Sequence, residues 1–323
     1  MQVLITGGAG FIGSHIAAFH IKQGDLVHVM DDLSTGSEDN IAQFKGNPNF
    51  FFTETDILTS PDLEKIVGWA DRIYHMAAVV GVFRVIESSE KLLATNIAGT
   101  ERLLRVARLS KRKPRILLAS TSEVYGNQGS KPLKEDMSLI LGAQKKSCIA
   151  YSVSKIALEY FGLSYHDNFG LRVTILRIFN TIGPRQLGYY GMVVPRFIDA
   201  AINQELILVY GTGSQTRSFC DVRDMVAIFN EIANNPQCIG EIFNVGQDDQ
   251  ISINDLAHLV KNLTKSTSDI KHISYEAAYG KEFTDIMYRC PDLTKLKKFI
   301  SYDYQWDLKK TLLDLIKRRL ASI

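Results

Sequence analysis

The stretch Met1-Gln2-Val3-Leu4-Ile5-Thr6-Gly7-Gly8-Ala9-Gly10-Phe11-Ile12-Gly13, running on to Val27-His28-Val29-Met30-Asp31-Asp32, decides the fold. Val3 to Ile5 is an apolar run of strand length. A glycine-rich turn follows, and a helical pattern runs from Ser14 to about Lys22. Gly24 stops it before a second apolar strand that ends in acid. That order is one βαβ unit. Gly7 allows a sharp turn, Gly10 a close approach of the backbone to a pyrophosphate, and Gly13 tight packing of helix on strand. The helix N-terminus then offers free N–H groups and a positive dipole end to phosphates. Asp31, at the end of the second strand, is placed to accept hydrogen bonds from an adenosine ribose.

The glycine spacing is G-x-x-G-x-x-G rather than G-x-G-x-x-G. With Thr6 before it and Phe11-Ile12-Gly13 closing it, the stretch resembles the N-terminus of the extended short-chain dehydrogenase/reductases. The resemblance implies an α/β fold: a doubly wound parallel (Rossmann) sheet with a smaller C-terminal substrate-binding lobe. Residues 1–170 would form the NAD-binding domain, completed by parts of 171–184 and 215–245, and 185–323 mainly the lobe. NAD is the implied cofactor, and an acid at 31 without an arginine beside it favours NAD over NADP. The implied NAD contacts are Gly7, Gly10, Phe11, Ile12, Gly13, Asp31, Asp32, Ser34, Thr35, Gly36, Asp56, Ile57, Ala77, Ala78 and Asn96, joined by the later pair Tyr151 and Lys155.

Composition is ordinary for a soluble globular protein and narrows the partners. A chain of 323 residues can bury a full core, and a formal charge of +2 is too small to point to nucleic acid or an anionic membrane. The basic runs Lys111-Arg112-Lys113 and Lys317-Arg318-Arg319 read as solvated segments. Cys148, Cys220, Cys238 and Cys290 are scattered without metal-ligand spacing, so free thiols in a reducing compartment and no metal site are expected. Met1 leads straight into the first strand, and no apolar run is long enough to span a bilayer. A cytoplasmic protein is the expectation.

Phe50-Phe51-Phe52 reads as a third strand, leading to Thr55-Asp56-Ile57. Arg72 to Ala78 reads as a fourth, ending in small residues that leave room for a ligand at the strand's carboxyl end. His75, following an apolar strand, is expected to be packed. Asn96 is expected to open a long helix running from Glu101 to about Arg108; in the family this helix and the one around Tyr151 to His166 form a homodimer.

The chemistry gathers in two blocks. Ser120-Thr121-Ser122-Glu123-Val124-Tyr125-Gly126 puts three hydroxyls and a carboxylate at the end of a fifth strand, Arg115 to Ala119. Tyr151-Ser152-Val153-Ser154-Lys155 places a phenol and an ammonium one helical turn apart, on one face. A nearby ammonium stabilises phenolate and makes tyrosine usable as a base near neutral pH. Thr121, Tyr151 and Lys155 match the family's catalytic set, which removes a sugar C4-hydroxyl proton as hydride passes to NAD.

In the second half, Leu171 to Arg177 is β-rich and closes with Asn180 and Arg185. Gly191 to Phe197 leads into a helix, and Leu206 to Phe219 contains Arg217. In the nucleotide-sugar branch of the family these blocks hold the substrate. The resemblance assigns Ser122, Glu123, Asn180, Arg185, Arg217 and Arg289 to it, with Asn180 at the sugar or diphosphate and Arg217 at the diphosphate; an arginine fork suits phosphate.

A simple 4-epimerase needs no acid or base beyond the C4 machinery, so the carboxylate of Glu123 is surplus to it. A 4,6-dehydratase or a decarboxylase has a use for one. Thr121-Ser122-Glu123 is similar to UDP-glucuronate decarboxylases and to GDP-mannose 4,6-dehydratases. Tyr279 to Asp285 followed by Arg289-Cys290-Pro291-Asp292 is similar to the UDP-glucuronate decarboxylase domain of bacterial lipid A modification and to plant UDP-apiose/UDP-xylose synthases. The leading expectation is a UDP-glucuronate decarboxylase-like enzyme acting on a UDP-uronate. A UDP-sugar 4-epimerase comes second and an NDP-sugar 4,6-dehydratase third. A non-catalytic NAD-sensing protein is disfavoured, because Tyr151 and Lys155 are both present.

Overall fold

A computed structural model describes residues 1–79, 89–142, 149–188, 192–279 and 285–321. Seven parallel strands form the central sheet in the order β11-β6-β5-β4-β1-β2-β3. They are β1 (Gln2–Thr6), β2 (Leu26–Asp31), β3 (Phe50–Glu54), β4 (Arg72–His75), β5 (Arg115–Thr121), β6 (Arg172–Ile178) and β11 (Ile242–Val245). The order turns back at β1, beside β4, which opens a crevice beyond the carboxyl ends of the strands.

Alternation within strands explains the helical layers. On β1, Val3 and Ile5 face a core shared with helix α1 (Phe11–Lys22) and helix α6 (Val222–Asn234), while Leu4 faces the opposite core. That second core is built with α2 (Leu63–Trp69), α3 (Ser89–Leu109) and α4 (Ile149–Phe169). All three β1 side chains are completely buried, each worth about 1.5–3 kcal/mol relative to exposure.

Helix α1 begins at Phe11, three residues before the expected Ser14, because Gly10 takes the extended conformation that caps it. Gly24, at φ +79°, follows its end as expected. The largest departure is α3. It starts at Ser89, so Asn96 lies inside the helix rather than opening it. Its first described turn, Ser89-Glu90-Lys91, is polar and carries little apolar periodicity, which kept it out of the expected helix.

A third core gathers α5 (Val193–Ile202), α7 (Ile253–Thr264) and strands β8 (Ile207–Tyr210) and β13 (Ile270–Ile273), which pair in parallel. Beside it β12 (Gln250–Ser252), β9 (Thr216–Ser218) and β14 (Tyr288–Arg289) form a small sheet, and β7 (Thr181–Ile182) pairs with β10 (Cys220–Asp221). Caps set these helices in place: the Asp221 carboxylate accepts from Arg223 N at the start of α6, and Ser252 Oγ from Asp255 N at the start of α7. Among the described residues no helix is long and apolar enough to cross a membrane.

Candidate active site

A cleft of about 780 Å³ runs along the carboxyl ends of the strands. One end is built almost wholly of main chain. Gly7 has φ +71°, and a Cβ on it would stand 2.6 Å from Ala77 N; one on Gly13 would stand 2.2 Å from Gly7 O. Both positions tolerate only hydrogen, which leaves an open main-chain surface at the start of α1. Asp31 closes this end. Its Oδ2 accepts from Ala9 N and its Oδ1 from Leu33 N, each at 2.9 Å. A carboxylate has about four acceptor positions, so capacity remains for a ligand hydroxyl. Burial pushes the Asp31 carboxyl up from its ordinary value, and the hydrogen bonds from Leu33 and Ala9 oppose that rise.

Phe11, Ile12, Asp32, Ser34, Thr35, Asp56, Ile57, Ala77 and Ala78 line the same end. Two expected contacts do not. Gly36 packs behind Asp31, where a Cβ would come within 2.8 Å of Oδ1. Asn96 is buried beneath the wall: its Oδ1 accepts from Val79 N and its Nδ2 donates to Ser154 Oγ. It braces the site rather than lining it. His75 is packed, held between Thr6 and Thr100, with burial pulling its imidazole down to about 3.

In the middle of the cleft Tyr151 and Thr121 are joined through their side chains. A 3₁₀ turn, Ser122–Tyr125, follows β5, and Thr121 Oγ1 accepts from Glu123 N to cap it. Ser152 on α4 donates to the Glu123 carbonyl, so the helix carrying Tyr151 is pinned to the turn carrying Glu123. Lys155 lies 5.8 Å from the Tyr151 ring centroid and donates its Nζ hydrogen to the Ala119 carbonyl at 2.7 Å.

The lowered phenol expected from Lys155 is corrected here. Burial, and then the charge of Glu123, push the Tyr151 phenol up, while burial pulls the Lys155 ammonium down to about 8. In this arrangement desolvation dominates both groups.

At the far end charged side chains arrive from distant segments. Strands β9 and β14 set Arg217 and Arg289 side by side in register. Arg289 Nη1 lies 3.6 Å from Glu123 Oε1, and its buried Nε has no hydrogen-bond partner among the described residues. Arg217 departs from the open fork expected at a diphosphate: it donates to Asp285 Oδ1 at 2.6 Å and to the carbonyls of Ile286 and Thr216. The short strand β14, which brings Asp285 close, could not be anticipated from local pattern. Asn180 lines the cleft and donates to Ser218 O; Ser122 and Arg185 line it too.

Sequence reasoning missed Asn40, which donates to Ala9 O beside the glycine turn. It also missed Arg196, whose guanidinium carbon stacks 3.7 Å from the Tyr210 ring centroid, and Gln215, which donates to Tyr210 O. Arg196 and Gln215 fall inside the blocks assigned to the substrate but were not singled out within them, and Asn40 belongs to no recognisable motif. Cys220, Cys238 and Cys290 are buried free thiols, whereas Cys148 and the stretch 280–284 lie outside the described residues.

A model of the NAD dependent epimerase/dehydratase family matches residues 3–246. The chain is similar to a UDP-N-acetyl-alpha-D-glucosaminuronate decarboxylase of Bacillus cytotoxicus, 39% identical over 320 residues, 96% of each chain. It is 34% identical to UDP-glucuronic acid decarboxylase 6 of Arabidopsis thaliana over 97% of this chain and 87% of that one. Among solved structures, the UDP-glucuronic acid 4-epimerase of Bacillus cereus, in complex with UDP-glucuronic acid and NAD, superposes with a TM-score of 0.87 at 28% identity, covering 99% of this chain and 100% of that one.

Proposed function

The chain belongs to the NAD dependent epimerase/dehydratase family, and on that premise we propose that it is an NAD-dependent decarboxylase of a UDP-linked uronate. The observation that carries this reading is the meeting of Arg289 and Glu123 at 3.6 Å, in the same cleft as Thr121 and Tyr151. A cation beside a carboxylate that simple epimerisation does not use suits a substrate carrying its own carboxylate. The names of the relatives, one acting on an N-acetylated uronate and one on glucuronate, support it.

The glycine turn and Asp31 would hold the dinucleotide, since both fit its pyrophosphate and ribose. When bound, NAD supplies the hydride acceptor and, oxidised, a positive charge. Thr121 orients the sugar's C4 hydroxyl, and Tyr151 would take its proton as the phenolate, a form that the positive charge of bound NAD would favour against the burial that raises its phenol. Lys155, fixed by the Ala119 carbonyl, holds a positive charge under the phenol ring and offers its other hydrogens to a ribose.

A 4-keto uronate is a β-keto acid. Its C5–C6 bond breaks with the electron pair moving into the C4 carbonyl, carbon dioxide leaves, and C5 is then protonated. Arg289 anchors the carboxylate before it leaves, and Glu123 handles the proton at C5. Asn180 and Arg217, the latter positioned by Asp285, complete the nucleotide-sugar end.

The second reading is a UDP-sugar 4-epimerase, with a 4,6-dehydratase behind it. The register pairing of Arg289 with Arg217 favours it, because two adjacent arginines could both serve a diphosphate. The division into an NAD-binding domain and a C-terminal substrate lobe, and a homodimer through α3 and α4, complete the proposal. Leu109 and Tyr160 on those helices are largely exposed, at 75% and 72%, which supports the dimer. We place the protein in the cytoplasm, where its buried thiols would stay reduced.

The test is incubation of protein and NAD with UDP-glucuronate and, separately, UDP-N-acetylglucosaminuronate, with products followed by mass and proton NMR. Loss of carbon dioxide is expected. An unchanged mass with an inverted C4 proton signal would replace the proposal with the epimerase.

A further inference from the structure

His15 has no role in the chemistry above, and Arg185, which the resemblance assigns to the substrate, comes from a distant part of the chain. His15 stands on α1, two residues beyond Gly13, and its Nε2–H donates to the carbonyl of Pro184 at 2.9 Å. That bond ties the first turn of α1 to the loop after β7. The next residue, Arg185, sits at φ +70°, in the left-handed region that residues other than glycine seldom occupy. Arg185 lines the cleft, and its Nη1 is buried with no hydrogen-bond partner among the described residues. The two side chains are close enough for the guanidinium charge to act on the imidazole.

The loop has little freedom to reach this conformation by another route. A Cβ on Gly183 would stand 2.4 Å from Val222 Cγ1, and Gln186 is held by its Nε2 to the Thr181 carbonyl. Pro184 fixes its own φ. The hydrogen bond from His15 therefore falls on the carbonyl of the peptide bond whose nitrogen belongs to Arg185. It sets the plane from which that residue enters the left-handed region.

We infer that His15 is a positioning residue: it holds the Pro184 carbonyl so that Arg185 presents its guanidinium to a diphosphate bound beside the α1 turn. Two diphosphates are compatible with that place, that of the dinucleotide and that of the nucleotide sugar. The chemistry is shared, since a guanidinium with a free buried N–H pairs with phosphate oxygens in either. Burial keeps the imidazole neutral, with its proton affinity pulled down to about 4, so it acts as a neutral donor and adds no charge of its own. The inference rests on the nucleotide-binding reading above.

The experiment is calorimetric titration of the full chain with NAD and, separately, with UDP, so that turnover plays no part. His15→Leu and Arg185→Leu should each weaken the same titrant about tenfold, the loss expected for one hydrogen bond to a charged group. Whichever titrant moves identifies the diphosphate. The double variant should be no weaker than Arg185→Leu alone, because His15 acts only through Arg185. His15→Gln, whose amide can still donate to the carbonyl, should bind nearly as wild type does. Losses that add in the double variant, or no loss in either titration, overturn the inference. A wild-type chain that takes up neither titrant would sink the nucleotide reading and the latch together.

Discussion

The two ends of the cleft are built on opposite principles. The proposed dinucleotide end is centred on one short stretch of chain, shaped by hydrogen atoms where side chains would collide, at Gly7 and Gly13, with Asp31 one strand later. The sugar end has no continuous segment at all. Glu123 comes from the turn after β5, Arg217 from β9, and Asp285 and Arg289 from β14 and its approach. One end is specified by what is missing from the backbone, the other by charges that only the finished fold brings together. The first can be shared by any enzyme using the same cofactor, so the second must carry what distinguishes this one.

Substitutions can separate the ends. Tyr151→Phe, where the two meet, removes the proposed base and should cut turnover by about three to four orders of magnitude while NAD binding persists; activity near wild type would dismiss Tyr151 from the chemistry. Next in size, Arg289→Leu and Glu123→Gln should each lower decarboxylation about a hundredfold, the scale of one lost acid–base or charge contact. Both should leave the calorimetric affinity for NAD unchanged, and a variant that loses NAD instead would show that the ends are not independent.

The converse break is Gly13→Ala. The added methyl has no room against the Gly7 carbonyl, so NAD affinity should fall at least about tenfold, while UDP binding at the other end holds. Equal NAD affinity in the variant would mean that the turn is not the cradle.

The last expected effect is on stability rather than on binding or turnover. Burial pulls His15 and His75 down to about 4 and about 3 from an ordinary value near 6.5. Between those values the unfolded chain binds protons that the folded chain does not, so stability is present above pH 6.5 and is lost as pH falls toward 4. Moving from pH 7 to 5 should cost on the order of 2 kcal/mol per histidine in urea unfolding. His15→Gln should flatten that slope; an unchanged slope would mean that His15 is not buried as a neutral ring.

The same contrast explains what could be read in advance. β1, the glycine turn and β2 announce themselves through period, turn residues and a terminal acid, all within a short window. Tyr151, Lys155, Glu123 and Arg289 were visible as motif members, and the structure brings them into one cleft. What could not be read was who holds whom. Lys155 gives its hydrogen to Ala119, Arg217 is spoken for by Asp285, and Asn96 braces the wall from inside a helix. Each partner is set by tertiary packing. Arg196, Tyr210 and Gln215 lay in blocks assigned to the substrate, but no local pattern singled them out, since each owes its importance to its neighbour.

Strand β14 is two residues long, and its register against β9 is what aims Arg289 at Glu123. Successive side chains in a strand point to opposite faces, so a slip of a single position would turn Arg289 away and present Tyr288 or Cys290 instead. The sugar end therefore depends on parity. A slip of one residue in the β14 register would take the cation off this face while the dinucleotide end stayed whole; a slip of two would return it to the face but about 7 Å along the strand, away from Glu123. Face and register must both be kept in this two-residue strand if Arg289 is to meet Glu123.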